Sequence, residues 1–225
     1  MMTDGNAQPR GKWRPKGLTG AVIIGFFAGL VGYGVGKFAA TRSGWDIDTS
    51  MLDALGLSGV VALSIGGFYL LVGLVLLAAL AAPKVGQGLL TGPNAQDLVD
   101  SRSLYLMQTA AVVFLGLALI VLTLSGPNVW LNPVAGGAIF FLLMIAGLTF
   151  WMKSLPFMDE LMRAASLESA VWTYGFMLAI GGSWAAVGYL GLVRAPYALD
   201  WLSLFWGFSL VGSTVAANKR GMLDE

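Results

Sequence analysis

The chain has no cysteine and no histidine. Without cysteine there is no disulfide framework, redox pair, thiolate metal site or covalently attached haem. Without histidine there is no imidazole ligand for zinc, haem iron or chlorophyll magnesium, and no switch that titrates near neutrality. Ser/His proteolysis, HExxH metalloproteolysis and His-ligated electron transfer are excluded together. Charge is also scarce. Only 11% of the 225 residues are charged, against about a quarter in soluble domains. With 57% hydrophobic residues and several runs longer than the roughly 18 apolar residues that signal a bilayer span, the chain reads as a membrane protein.

What is present is a set of six apolar segments, at about 18–38, 55–82, 104–125, 134–152, 170–193 and 198–217. At 1.5 Å rise per residue each is long enough for a hydrocarbon core of about 30 Å. The expected fold is an all-α polytopic membrane helix bundle with six transmembrane helices and both termini cytoplasmic. Residues 1–17 form a basic cytoplasmic tail and 218–225 a second, short one. The first apolar run follows a basic leader, but it is too long for a signal-peptide core and "GKFAATRS" is a poor cleavage site, so it is expected to stay as a span. Ser50-x-x-Asp53 predicts a helix start near Met51, and Asn94 with Asp97 predicts another near Ala95.

Orientation follows from the cations. Arg10, Lys12, Arg14 and Lys16 crowd the N-terminal tail, where they read as a topology signal rather than a nucleic-acid contact. With that tail inside, all of the thirteen Lys and Arg except Lys37, Arg42 and Arg194 fall on the cytoplasmic side. Trp45, Trp130 and Trp201 mark the outer boundary, and Trp151 and Trp172 the inner one. The breaker-rich turn "SGPNVWLNP" predicts a tight antiparallel hairpin between the third and fourth spans. In "SLPFMDELMRAASLE", Ser154 as cap, Pro156 in the first turn and the acids Asp159 and Glu160 predict a short amphipathic helix on the inner surface, either a connector or a docking site.

Glycine is abundant. Gly25, Gly29, Gly32 and Gly36, four, three and four residues apart, form two successive GxxxG motifs and give the first span a smooth helix-contact face. Gly66-Gly67 and Gly181-Gly182 fall near the middle of the second and fifth spans, where each pair permits a kink or a close crossing. Both lie in an "IGG" triplet, and an offset of 115 residues also aligns Asp53 with Glu168, Tyr69 with Trp184 and Gly73 with Gly188. A unit of three spans, an odd number, would make such copies inverted in the membrane, as in many transporters. Outside the second and fifth spans the matches are poor.

No ionisable residue lies near the centre of any proposed span, which leaves no buried charge of the kind proton-coupled pumps and voltage sensors use. Asp53 and Glu168 would be the first candidates for a paired acidic role, although capping and interface solvation account for both. Gln108 and Thr109 are the most polar adjacent pair inside a span, a possible intramembrane polar site whose default use is interhelical hydrogen bonding. No serine has an evident base partner, and no P-loop, dinucleotide fingerprint or EF-hand loop occurs. An interfacial enzyme would have to rest on Asp97, Asp100 and Arg102, which also read as a salt-bridged helix start.

The sequence therefore favours a non-catalytic integral membrane protein, an accessory or assembly subunit of a larger complex. No cofactor, metal or nucleic acid is expected. The expected partners are the lipid bilayer and other membrane subunits, or a second copy of the chain, in a bacterial-type inner or plasma membrane. The alternative is a small transporter or channel for a neutral or lipid-like substrate, built on the inverted three-plus-three repeat.

Overall fold

A computed structural model describes residues 50–82, 101–125 and 130–221, with side chains from residue 55 onward in the first of these. The expected first span at 18–38, with Gly25, Gly29, Gly32 and Gly36, lies outside the described residues, as do the 1–17 tail and the helix start expected near Ala95. Backbone in lipid must close its hydrogen bonds within the segment or in a closed barrel, and the described chain does so with helices alone. These are α1 (Ser50–Ala81), α2 (Arg102–Leu124), α3 (Pro133–Ser154), α4 (Glu160–Phe176), α5 (Ser183–Tyr189) and α6 (Ala198–Lys219). A 3₁₀ turn, Leu155–Phe157, joins α3 to α4, and a π-helical turn, Met177–Gly182, carries α4 directly into α5. Five helical stretches are long and apolar enough to cross a membrane: Leu55–Ala81, Arg102–Leu124, Pro133–Phe157, Glu160–Tyr189 and Ala198–Lys219. They correspond to the last five of the six expected segments.

Two local features depart from the sequence expectation. The 154–169 stretch is not a separate surface helix. Ser154 closes α3, its hydroxyl donating to the Trp151 carbonyl at 2.7 Å, and Pro156 sits in the 3₁₀ turn. The cap is Asp159, whose Oδ1 accepts from the Met162 N–H at 2.6 Å. From Glu160 no glycine or proline interrupts the chain before Gly175, so the helix runs on into the span. The second departure is Gly56, at φ 63° and ψ 179°, which breaks α1 nearly two turns after its start. That region of backbone space is open in practice to glycine alone.

The hairpin between α2 and α3 forms as the turn chemistry predicts. Asn132 Oδ1 accepts from the N–H groups of Val134 and Ala135 at 2.9 and 3.4 Å, ahead of Pro133 at the first helical position. The two helices then run antiparallel, with Phe114 and Phe150 stacked at 5.7 Å between ring centres.

Helix contact is made at small residues. Along α1, Gly59, Gly66 and Gly73 recur every seventh residue and face Thr123, Gly116 with Ile120, and Val113 of α2. A seven-residue repeat is the seam of a left-handed helix pair. At its centre Gly66 and Gly116 face each other, and a Cβ on either would stand 3.0 Å from the other's carbonyl oxygen. On its other side α1 lies parallel to α6. Ala62, Ile65 and Tyr69 of α1, Leu119 of α2 and Trp206 of α6 form the buried core there, and the Tyr69 hydroxyl donates to the Trp206 carbonyl at 3.0 Å. α4 packs antiparallel on α6 where Gly212 meets Ser169 and Thr173. In order around the bundle the helices run α3, α2, α1, α6, α4.

The Gly66 crossing gives a direct test. Gly66→Ala would place a methyl 2.8 Å from Ile120 Cγ1 and 3.0 Å from the Gly116 oxygen, an overpacking expected to cost about 1–3 kcal/mol. Gly67→Ala enters space with no neighbour within 4 Å and is expected to be neutral, or stabilising by up to about 1 kcal/mol through helix propensity. Thermal unfolding of both variants in one detergent measures the difference, and equal melting temperatures would refute the crossing.

Candidate functional site: a groove between α3 and α4

The two ends of the helical arc do not close. α3 and α4 follow one another in the chain, yet along their length they make no extended contact. Between them lies a groove of about 830 Å³. Its floor is built from Leu115 of α2 and the Trp201, Phe205 and Ser209 face of α6. Its walls are Leu148 and Trp151 of α3 and the Ala170–Tyr174 face of α4. The wall side chains are large and open, with Tyr174 70% and Leu178 65% exposed. The π-helical turn borders the groove through Met177, Leu178 and Gly182. Such turns widen the helix locally and recur at functional sites.

Hydroxyls line one end of the groove. Ser169 and Ser213 bridge α4 and α6, Oγ to Oγ, at 2.9 Å. Ser213 also donates to the Ser209 carbonyl at 2.7 Å. Thr173 donates to the Ser169 carbonyl at 2.8 Å and reaches the Phe208 carbonyl at 3.3 Å. These groups satisfy one another through backbone carbonyls, the arrangement by which Ser and Thr hold helices together in lipid.

Ion pairs bracket the α4–α6 pair at both ends. At one end Glu168 accepts from Lys219 at 2.9 Å and from Arg220 at 3.1 Å. At the other Arg194 Nη2 donates to Asp200 Oδ2 at 2.8 Å. Asp200 is the third residue of α6, and the same Oδ2 also accepts from the Tyr197 N–H at 2.8 Å, so one carboxylate caps the helix and holds the arginine. The guanidinium reaches Ser58 Oγ of α1 at 3.3 Å and lies over the Tyr197 ring at 4.5 Å. The Trp184 indole N–H donates to the Arg194 carbonyl at 2.8 Å. From Asp200 to Lys219 the helix rises about 28 Å, close to the roughly 30 Å of a hydrocarbon core. The two clusters are therefore separated by about the thickness of such a core.

The sequence-derived candidates do not converge on this groove. Gly181 is buried, and a Cβ there would come 2.9 Å from Trp201 Cζ3. Gly182 has no neighbour within 4 Å and lines the groove. Gly66 sits at the α1–α2 crossing, and Gly67 is open. Gln108 is half-buried. Thr109 is 1% exposed, and its hydroxyl has no partner among the described residues. Neither lines the groove. Glu168 serves Lys219 and Arg220, while the Asp53 side chain lies outside the described residues. Sequence reasoning missed the Arg194–Asp200 pair, although Pro196 followed by an acid at the start of an apolar run was a legible helix-start signal.

No protein-family model matches the chain, and neither a curated protein nor a solved structure matches it.

Asp200 and Lys219, one from each ion-pair cluster, differ in burial, which separates their energetic weight. The Asp200 side chain is 8% exposed, against 65% for Lys219. Asp200→Ala leaves Arg194 without its anion and the Tyr197 N–H without an acceptor. A loss of about 1–3 kcal/mol is expected, below the full cost for a buried pair because Arg194 is half exposed. Lys219→Ala is expected to leave stability nearly unchanged, since Arg220 still holds Glu168. Chemical unfolding in mild detergent ranks the two, and the reverse order would contradict this assignment.

Proposed function

We propose that this chain is a non-catalytic accessory or assembly subunit of a membrane complex, and that the groove between α3 and α4 receives a transmembrane helix of another subunit. The observation that carries the proposal is the groove itself, bulky and apolar on its walls, small and hydroxylated at one end, and left open by consecutive helices. Its volume equals roughly two turns of a helix 10 Å across. In this reading the Glu168 end faces the cytoplasm of a bacterial-type inner or plasma membrane. Arg102, Lys153, Arg163, Lys219 and Arg220 gather at that end and Arg194 alone of the described cations at the other. With the apolar segment 18–38 added, the bundle has six spans.

The second reading, a small transporter or channel, draws on the π-helical turn and the hydroxyls beside it. Its inverted repeat fits the packing poorly. A two-fold relating the second span to the fifth and the third to the sixth would turn the α1–α6 contact into an α4–α2 contact. Instead α4 stands off α2 across the groove.

Ala170→Phe and Gly182→Phe would both fill the groove, and neither position is a packed crossing. In native mass spectrometry of protein released from its own membrane, the unaltered chain is expected to carry a stoichiometric membrane partner. Both variants are expected to lose it while melting at the same temperature as the parent. A homogeneous monomer or homo-oligomer overturns the subunit reading and transfers its weight to transport. A partner retained by both variants places the interface elsewhere on the surface.

A further inference from the structure

A second cavity, of about 420 Å³, lies on the opposite side of α6, between it and the parallel helix α1. Leu57, Val61, Ile65 and Phe68 line one side, and Leu204, Gly207 and Val211 are among the residues of the other. From Leu57 to Phe68, and equally from Asp200 to Val211, the cavity follows its helices for about 16 Å. That is the depth of one leaflet, half of a roughly 30 Å hydrocarbon core. Polar side chains are concentrated at the mouth, where Arg194, Asp200, Ser58 and Trp184 meet.

The charge at that mouth is one-sided. Asp200 stands behind with 8% of its side chain exposed, while Arg194 stands in front at 45%. Arginine carries five N–H donors. Among the described residues Arg194 places its Nη groups on Asp200 and Ser58, which leaves its Nε–H and an Nη1 hydrogen without a protein acceptor. The Tyr197 ring beneath it and Trp184 beside it hold the guanidinium at the level of lipid headgroups.

We infer that this cavity binds one anionic phospholipid, an acyl chain lying between α1 and α6 and its phosphate on Arg194. Among the described residues the exposed charge at the mouth is cationic alone, so it complements an anionic headgroup and offers nothing to the cation of a zwitterionic one. The lipid would also cover the apolar seam that α1 and α6 leave open, fixing the two helices beyond their core contact. The inference is independent of what occupies the α3–α4 groove.

The test is native mass spectrometry of the full chain, titrated with palmitoyl-oleoyl phosphatidylglycerol or with the matching phosphatidylcholine. One phosphatidylglycerol is expected to bind at least tenfold more tightly than phosphatidylcholine, and millimolar inorganic phosphate is expected not to displace it. In Arg194→Gln/Asp200→Asn, which removes both charges together, the preference should vanish. Gly207→Leu projects into the cavity, where the nearest atom to a Cβ is Ile65 Cδ1 at 3.7 Å, and should weaken both lipids about tenfold. Equal affinity for the two lipids in the unaltered chain overturns the inference, and that comparison does not depend on whether a variant folds. Displacement by free phosphate reduces the site to an anion contact, and a preference that survives the double variant comes from the cations at the Glu168 end; either result also overturns it. Failure to retain any lipid, the result expected if a protein helix fills the cavity, does so as well.

Discussion

Between helices in lipid there is no water to expel, so association depends on how closely two backbones can approach. Three contacts of this bundle, α1 with α2, α2 with α3 and α4 with α6, obey that constraint at glycine. The α1–α2 seam follows Gly59, Gly66 and Gly73 against Gly116 and its neighbours. α3 buries only Gly136, Gly147 and Ser154, while Phe141 and Ile145 point outward at 64% and 62% exposure. α4 meets α6 at Gly212. The sides of α3 and α4 that face across the groove carry Leu148, Trp151 and Tyr174, with Leu178 in the π-helical turn that follows.

Among the described residues, charged side chains are confined to the ends of the bundle for the complementary reason. A carboxylate or guanidinium at the bilayer centre is costly, whereas at the headgroup level water and partner charges offset part of the desolvation. Asp200 combines two tasks that are each modest alone. It satisfies an otherwise free N–H at the start of α6 and it positions Arg194 across to Ser58 of α1. A loop residue is thereby tied to two helices that are distant in sequence. The Glu168 cluster joins only α4 to the end of α6 and is more open to solvent.

Much of this architecture was legible in the sequence, and the limits of that legibility have physical causes. Length and hydropathy located the five described spans, and the breaker-rich SGPNVWLNP turn located the hairpin between α2 and α3. Hydropathy placed the start of the fifth span too late. Residues 160–169 are too polar to register as membrane, yet nothing in them breaks a helix, and backbone continuity decided the outcome. The Gly66-Gly67 and Gly181-Gly182 doublets drew attention as pairs, whereas one glycine of each faces a neighbour and the other faces open space. The informative pattern in α1 was the seven-residue spacing of single glycines. The π-helical turn and the groove had no signature, because both arise from how neighbouring helices fit rather than from any local run.

The two cavities flank the same helix, and their difference is instructive. The α1–α6 cavity is narrow, apolar along one leaflet's depth and bordered at its mouth by Arg194, the one cation there among the described residues, which suits a chain with a charged head. The α3–α4 groove is twice as large, extends past the bundle centre from Trp201 to Ala217, and presents hydroxyls that already bond to one another and to backbone. A permeation path needs polar groups free to replace a solute's hydration; here Ser169, Thr173 and Ser213 are engaged in holding α4 to α6. Groups used in this way favour a surface against which another helix rests over a route through which a solute passes.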